Sequence, residues 1–123
     1  MNTVAQHLEK ARHNLAFLNT MDVADDTFGD WAIVVLFYRA LHLVSAVIHS
    51  HGRDHGATHG QRQPRVEAVL SPATAQSYER LYTRSRAVRY EEVTSTAREF
   101  ERLLKSDFGP LLREVQSHLP TAA

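Results

Sequence analysis

The chain has 123 residues, 43% of them hydrophobic and 23% charged, proportions that suit one globular domain with a single core. It contains no cysteine, which excludes disulfide bridges, thiol nucleophiles and cysteine-ligated zinc. Its 14 basic and 14 acidic residues give a formal net charge of zero, which excludes a strong overall field for nucleic acid or membrane. The charge is nonetheless uneven, because residues 1–30 carry a surplus of acids and residues 53–90 a surplus of arginines.

Residues 1–30 indicate one helix and a polar connector. The sequence T-V-A-Q is a capping box, in which Thr3 and Gln6 satisfy each other's backbone amides. Apolar residues then recur at steps of four and three, which predicts a helix over residues 4–19. The connector, residues 20–30, is rich in aspartate, and Asp30 is placed to cap the next helix. The first residues lack the apolar run of a signal peptide, so we expect a cytoplasmic protein.

The second helix is predicted over residues 31–50 and is apolar on nearly every face. Its stretch Trp31–Ile48 approaches the length of a membrane span, but Arg39 and His42 lie near its middle. An arginine at the centre of a bilayer costs at least about 2.5 kcal/mol, so we expect a buried helix and no membrane contact. One small bundle is not expected to cover every face of such a helix, which predicts a homodimer.

The segment after the second helix predicts two further helices. A second capping box begins at Thr58 and predicts a short helix over residues 59–70, whose first turns Pro64 is expected to shift or break. Ser71-Pro72 places an N-cap residue before a proline at the first helical position, which predicts a helix over residues 72–90.

Thr94 or Ser95 is expected to start the last helix, which Gly109-Pro110 should kink or split. No segment has the alternating pattern of a strand. Helices of this length joined by short loops predict an all-α fold, an up-and-down antiparallel bundle of four to five helices, as a single domain over residues 1–123.

Polar side chains stand out on the apolar second helix. Four of them share one face at steps of four, three and four: Tyr38, His42, Ser45 and His49. Arg39 lies beside them, and a buried arginine needs a partner or a path to water. Two interpretations remain open: these groups form hydrogen bonds across the bundle or a dimer interface, or they line a functional cleft.

The connector between the second and third helices is rich in histidine and glycine. His51, His55 and His59 are spaced by four, which would align three metal ligands on a continuous helix. The glycines make such a helix improbable, and no glutamate completes a zinc-hydrolase motif. The pattern favours a solvated loop over a phosphate contact or a metal site, and no metal or cofactor is expected.

Residues 78–90, YERLYTRSRAVRY, interleave arginines with tyrosines. Guanidinium groups suit phosphate binding and tyrosine rings suit base stacking. Any amphipathic helix can contain such residues. Two interpretations therefore remain open: an RNA or nucleotide surface, or an ordinary helix with one face in the core and one in solvent.

Taken in order, these parts resemble the HEPN domains of prokaryotes, in particular their short, mostly uncharacterised branch. The resemblance covers about residues 5–117. It is carried by the long helix WAIVVLFYRALHLVSAVI with its Phe37-Tyr38 pair, the connector ending in T-H-G-Q-R at Arg62, the segment Leu81–Tyr90 and the final amphipathic helix.

The resemblance implies a helical bundle, commonly dimeric. Many HEPN proteins are metal-independent ribonucleases with an R-x(4–6)-H motif, and the motifs of the two protomers lie together in the dimer cleft. The histidine acts as acid or base, and the arginine stabilises the phosphorane charge. Other members bind nucleotides or a partner protein. In this chain the spacing R-x(5)-H occurs from Arg53 to His59, in the connector, and Val88 stands where the family's histidine would be sought.

We therefore expect a HEPN-like homodimer of a bacterial toxin–antitoxin, phage-defence or stress system that binds RNA, a nucleotide or a partner protein from a neighbouring gene. The residues expected to bind are Tyr38, Arg39, Arg84, Arg86 and Tyr90. The alternative is a metal-independent endoribonuclease. Its expected catalytic residues are Arg53, His59 and His42.

Overall fold

The computed structural model describes residues 3–91 and 95–123, and within these ranges the protein is all-α. The helices are α1 (Val4–Thr20), α2 (Gly29–Ser50), α3 (His59–Val69), α4 (Pro72–Tyr90), α5 (Ala97–Leu103) and α6 (Gly109–His118). A 3₁₀ turn, Asp26–Phe28, precedes α2, and a π-helical turn, Leu104–Phe108, joins α5 to α6. The predicted all-α class and the predicted positions of the first four helices are confirmed to within two residues.

Side-chain caps start most of these helices, as the sequence indicated. At α1 the predicted capping box is complete, because Thr3 Oγ1 accepts from the Gln6 amide at 3.1 Å and Gln6 Oε1 accepts from the Thr3 amide at 2.7 Å. The side chains of Thr58 and Ser71 cap α3 and α4 by accepting from the amides of Gln61 and Thr74. The predicted second capping box is incomplete, because Gln61 Oε1 accepts from the amide of Ala57 and not from that of Thr58. Pro64 does not break α3, contrary to expectation. The one intrahelical bond that its ring removes would end on the carbonyl of Gly60, an exposed residue in the first turn.

The start of α2 differs from the prediction. Asp30 does not cap it, because the helix already begins at Gly29, directly after the 3₁₀ turn that Asp25 caps. Gly29 is required here by close packing, since a Cβ atom at this position would lie 2.7 Å from the backbone oxygen of Ser95. Asp26 accepts a hydrogen bond from the amide of Ala97, which fastens this turn to the start of α5.

The long C-terminal helix is divided, as Gly109-Pro110 predicted. Its N-cap is Thr96, not Ser95, and Thr94 lies outside the described residues. The π turn before Gly109 widens the helix where Pro110 has no amide proton to donate. It also buries Asp107 and Phe108 against the rest of the bundle.

Helix α2 forms the centre of the molecule, and 14 of its 22 residues are buried. By length and composition alone, Asp26–Ser50 is long and apolar enough to cross a membrane, but 72% of its most apolar window is buried inside the fold. The surrounding helices of the same chain therefore cover most of α2, although not every face of it. Trp31 and Tyr38 are the large side chains of α2 that remain exposed.

Candidate functional site

Aromatic rings and guanidinium groups form a continuous surface along α2 and α4, which we call the arginine–tyrosine strip. Its members are Tyr38 on α2 and Tyr82, Arg86, Arg89 and Tyr90 on α4. Arg89 Nη1 donates to the hydroxyl of Tyr38 at 2.9 Å, and Arg86 Nη1 donates to the hydroxyl of Tyr82 at 3.3 Å. Both guanidinium carbons lie within 6 Å of the Tyr90 ring centroid, at 5.7 Å for Arg86 and 5.1 Å for Arg89.

The strip presents its rings to solvent. Tyr90 is 68% exposed and Tyr38 is 37% exposed, although both are large aromatic side chains. The helical spacing explains the alignment, because Tyr82, Arg86 and Tyr90 recur at steps of four on one face of α4. A flat ring beside a guanidinium group offers a stacking surface and a phosphate contact within the width of one nucleotide.

His59 extends the strip at the start of α3. Its ring stacks on Tyr82 with the centroids 3.4 Å apart and the planes 3° from parallel. Its Nε2 lies 2.7 Å from Oε2 of Glu79, and its Nδ1 is buried without a hydrogen-bond partner among the described residues. One ring nitrogen is thus held by Glu79 and the other is buried, which favours a positioning role over proton transfer to a ligand.

Three other predicted arginines lie elsewhere. Arg39 is 7% exposed, and its guanidinium carbon lies 4.4 Å from the centroid of the Phe108 ring. Burial lowers the pKa of Arg39 to about 10, so it stays charged at neutral pH. Arg84 forms an ion pair with Glu99 on the side of α4 that faces α5. Arg53 is exposed in the turn after α2, where its amide donates to the carbonyl of Ile48.

Four other side chains meet at the junction of α1, α2 and the connector after α2, and we call them the histidine cluster. They are His7, His42, His49 and His55. His7 Nδ1 lies 3.1 Å from His42 Nδ1, and His49 Nε2 lies 2.8 Å from His55 Nδ1. One ring nitrogen from each of His7, His49 and His55 lies within 4.8 Å of the other two, the arrangement of a set of metal ligands.

Burial lowers the pKa of three of these histidines, His7, His42 and His55. Desolvation is the main reason that the pKa of His7 falls to about 4, and charge repulsion from the other three histidines adds to it. Desolvation likewise lowers the pKa of His42 to about 4, followed by repulsion from Lys10. The pKa of His55 is lowered for the same first reason, although Asp54 opposes the shift. Neutral imidazole is the form that coordinates metal ions.

An apolar patch lies beside the strip. Five side chains form a groove of about 270 Å³ on the outside of α1 and α2: Phe17, Met21, Phe28, Trp31 and Val35. Phe17, Phe28 and Trp31 are each more than half exposed. A second, smaller groove contains both Trp31 and Arg89, so the apolar patch and the arginine–tyrosine strip are contiguous.

The structure brings only some of the predicted site residues together. Tyr38, Arg86, Tyr90 and His59 belong to one surface, whereas His42 lies in the histidine cluster. Arg39, Arg53 and Arg84 join neither group. The predicted cleft with an Arg53–His59 pair is therefore not assembled within one chain.

Sequence reasoning missed His7, Tyr82 and Arg89. Tyr82 and Arg89 share a helix face with Arg86 and Tyr90. Their spacing of three and four residues in the sequence could have predicted this. His7 lies beside Leu8 and Ala11 on the buried face of α1. A histidine among the apolar residues of that face is the sequence feature that could have identified it. The predicted series His51, His55, His59 is divided, because His51 pairs with His118 and His59 with Tyr82.

Comparison with protein-family models, curated proteins and solved structures finds no match for this chain.

Proposed function

We propose that this protein is a HEPN-like, homodimeric module that binds single-stranded RNA through the arginine–tyrosine strip. The observation that carries the proposal is that the guanidinium groups of Arg86 and Arg89 both lie within 6 Å of the centroid of the exposed Tyr90 ring. Stacking of one base on an aromatic side chain contributes about 1–3 kcal/mol, and a guanidinium group beside it neutralises the adjoining phosphate.

The strip suits a single strand better than a duplex. Its rings present faces, and the bases of a duplex are already stacked on one another and cannot use those faces. With no net charge on the chain, attraction for phosphate is limited to these few arginines. Affinity is therefore expected to depend on stacking as much as on charge, with a shallow dependence on salt.

A second copy of the chain is proposed to cover the apolar patch. Exposed aromatic rings that adjoin one another mark an association surface more often than isolated apolar residues do. Because one groove contains Trp31 and Arg89, a dimer formed over the patch would place the two strips side by side. A longer RNA segment would then contact both copies.

The proposed setting is a bacterial toxin–antitoxin, phage-defence or stress system, in keeping with the HEPN resemblance. The orientation of the histidines supports binding over cleavage. His59 has its Nε2 paired with Glu79 and its Nδ1 buried, and His42 faces His7 instead of the strip. Neither histidine therefore presents an unpaired ring nitrogen to a ribose 2′-hydroxyl of RNA bound on the strip.

Fluorescence anisotropy with a labelled single-stranded RNA tests this proposal. Arg86→Gln combined with Tyr90→Ala should weaken binding at least about tenfold, the loss of one stacking contact and one charge. Arg98→Gln is the matched control, because Arg98 is an exposed arginine on α5, outside the strip. Equal binding by the double variant and the wild-type chain refutes the assigned surface. Capture of a neighbouring-gene protein in place of RNA would support the partner-binding alternative.

A further inference from the structure

We infer that His7, His49 and His55 form a binding site for a transition-metal ion, with Zn²⁺ as the best fit. The three come from separate parts of the chain: the first turn of α1, the last turn of α2 and the connector that follows. Their ligand nitrogens lie within 4.8 Å of one another. The site is independent of the RNA-binding proposal, because it uses none of the residues of the arginine–tyrosine strip.

The geometry of the cluster is close to that of a bound ion. Zinc–nitrogen bonds of 2.0–2.1 Å at tetrahedral angles place the ligand atoms about 3.3 Å apart. The present separation of His49 and His55 is 2.8 Å, and no pair among the three nitrogens exceeds 4.8 Å. Shifts of about an ångström therefore suffice, and two of the three side chains are only partly buried and able to make them.

His7 supplies independent support. It is 1% exposed, and its Nε2 is buried without a hydrogen-bond partner among the described residues. An unpartnered buried polar atom destabilises the fold, and a metal bond at Nε2 would remove that cost. Its other nitrogen, Nδ1, faces Nδ1 of His42 at 3.1 Å.

His42 fits the role of an outer partner. When His7 donates its Nδ1 proton to His42, the lone pair of His7 is fixed on Nε2, the atom left for the metal. Metal-bound histidines are usually oriented by such a second hydrogen bond. One carboxylate lies near the cluster: Oδ1 of Asp54 is 3.7 Å from Nδ1 of His55.

The donor set selects the class of ion. Three imidazoles without thiolate suit zinc, copper, nickel or cobalt, and they do not suit magnesium or calcium, which prefer oxygen ligands. Lys10, Arg62 and Arg65 lie close enough to oppose added positive charge, which favours a single divalent ion over a cluster of ions. A fourth position stays open for water or for a ligand.

Cobalt titration of the full chain, purified without a histidine tag, tests the site. One Co²⁺ per chain with the intense visible bands of tetrahedral coordination is expected, displaced by one Zn²⁺. His55→Asn should abolish these bands. His51→Asn is the matched control, because His51 belongs to the same connector but is exposed and pairs with His118. His42→Ala should lower the affinity about 10–100-fold, as expected for an outer partner.

Thermal unfolding supplies a second readout. Zn²⁺ at 100 times its Kd should raise the melting temperature of the wild-type chain by roughly 10 °C, and that of His55→Asn not at all. Absence of stoichiometric cobalt binding, or equal binding by His55→Asn and the wild-type chain, overturns the proposal. Because His55 lies in a connector and not in the core, this variant is expected to fold.

Discussion

Glu114 of α6 caps the start of α4 by holding Ser71. Its carboxylate accepts from the Ser71 amide at 2.8 Å and from the Ser71 hydroxyl at 2.6 Å, and also from the Thr74 hydroxyl at 2.7 Å. A residue from the last helix therefore occupies the position at which an anion is most stabilised by the amides of an N-terminus. Helix α4 carries most of the arginine–tyrosine strip, so this contact also positions the proposed binding surface.

Glu114→Gln is expected to lower the free energy of unfolding by about 1–2 kcal/mol at pH 7, because charge-assisted hydrogen bonds become neutral ones. Chemical denaturation measures the difference, and Glu101→Gln is the control, since Glu101 is an exposed glutamate. An unchanged denaturation midpoint in Glu114→Gln would show that α4 needs no cap from α6.

The same contact predicts a dependence on pH. Burial alone raises the pKa of Glu114, but the hydrogen bonds from Ser71 and Thr74 outweigh it, so the pKa lies below its ordinary value of 4.5. The unfolded chain thus binds the proton more readily than the folded chain. The stabilisation is complete above pH 4.5 and declines as the pH falls below it. The difference in stability between wild type and Glu114→Gln should shrink over that acidic range, and a difference that grows there contradicts the assignment.

Whether a feature could be predicted from the sequence depends on how far apart along the chain the interacting residues lie. Caps such as Thr3 and Ser71 and the periodicity of α4 are local, and they located the helices to within two residues. The contact of Gly29 with Ser95 and the meeting of His7 with His55 join residues far apart in the chain. Nothing in the local pattern encodes such pairs.

The same distinction explains the outcome at the candidate site. Tyr38, Arg86 and Tyr90 lie on exposed helix faces, which periodicity identifies. The predicted role of Arg39 assumed that a second copy of the chain covers α2. Because the face of α2 that carries Arg39 is covered by its own chain, Arg39 points into the bundle and contacts Phe108.

Trp31→Ala tests the proposed dimer. Trp31 is 59% exposed at the centre of the apolar patch, so truncation should remove association energy without opening a core cavity. Light scattering after gel filtration should give a dimer for the wild-type chain and a larger monomer fraction for the variant. Tyr90→Ala removes another exposed aromatic ring, outside the patch, and should leave the dimer intact. A wild-type chain that is monomeric at high micromolar concentration contradicts the proposal.

Arg39 has different expected roles in the structure and in the sequence analysis. The structure buries it against Phe108, whereas the sequence analysis placed it in the binding site. Its Nε is buried without a hydrogen-bond partner among the described residues, and the Phe108 ring is a weak substitute for water. Replacing such a cation by an apolar side chain of similar length removes a desolvation cost, so Arg39→Met should leave the free energy of unfolding unchanged or raise it by up to about 4 kcal/mol. Arg39→Ala should lower it by about 2–5 kcal/mol, because it leaves a cavity. RNA affinity, measured by anisotropy at matched fractions of folded protein, should be the same for Arg39→Met as for the wild-type chain. If Arg39→Met folds normally and loses RNA binding, the guanidinium reaches the ligand, and the binding surface extends from the strip into the bundle as the sequence had indicated.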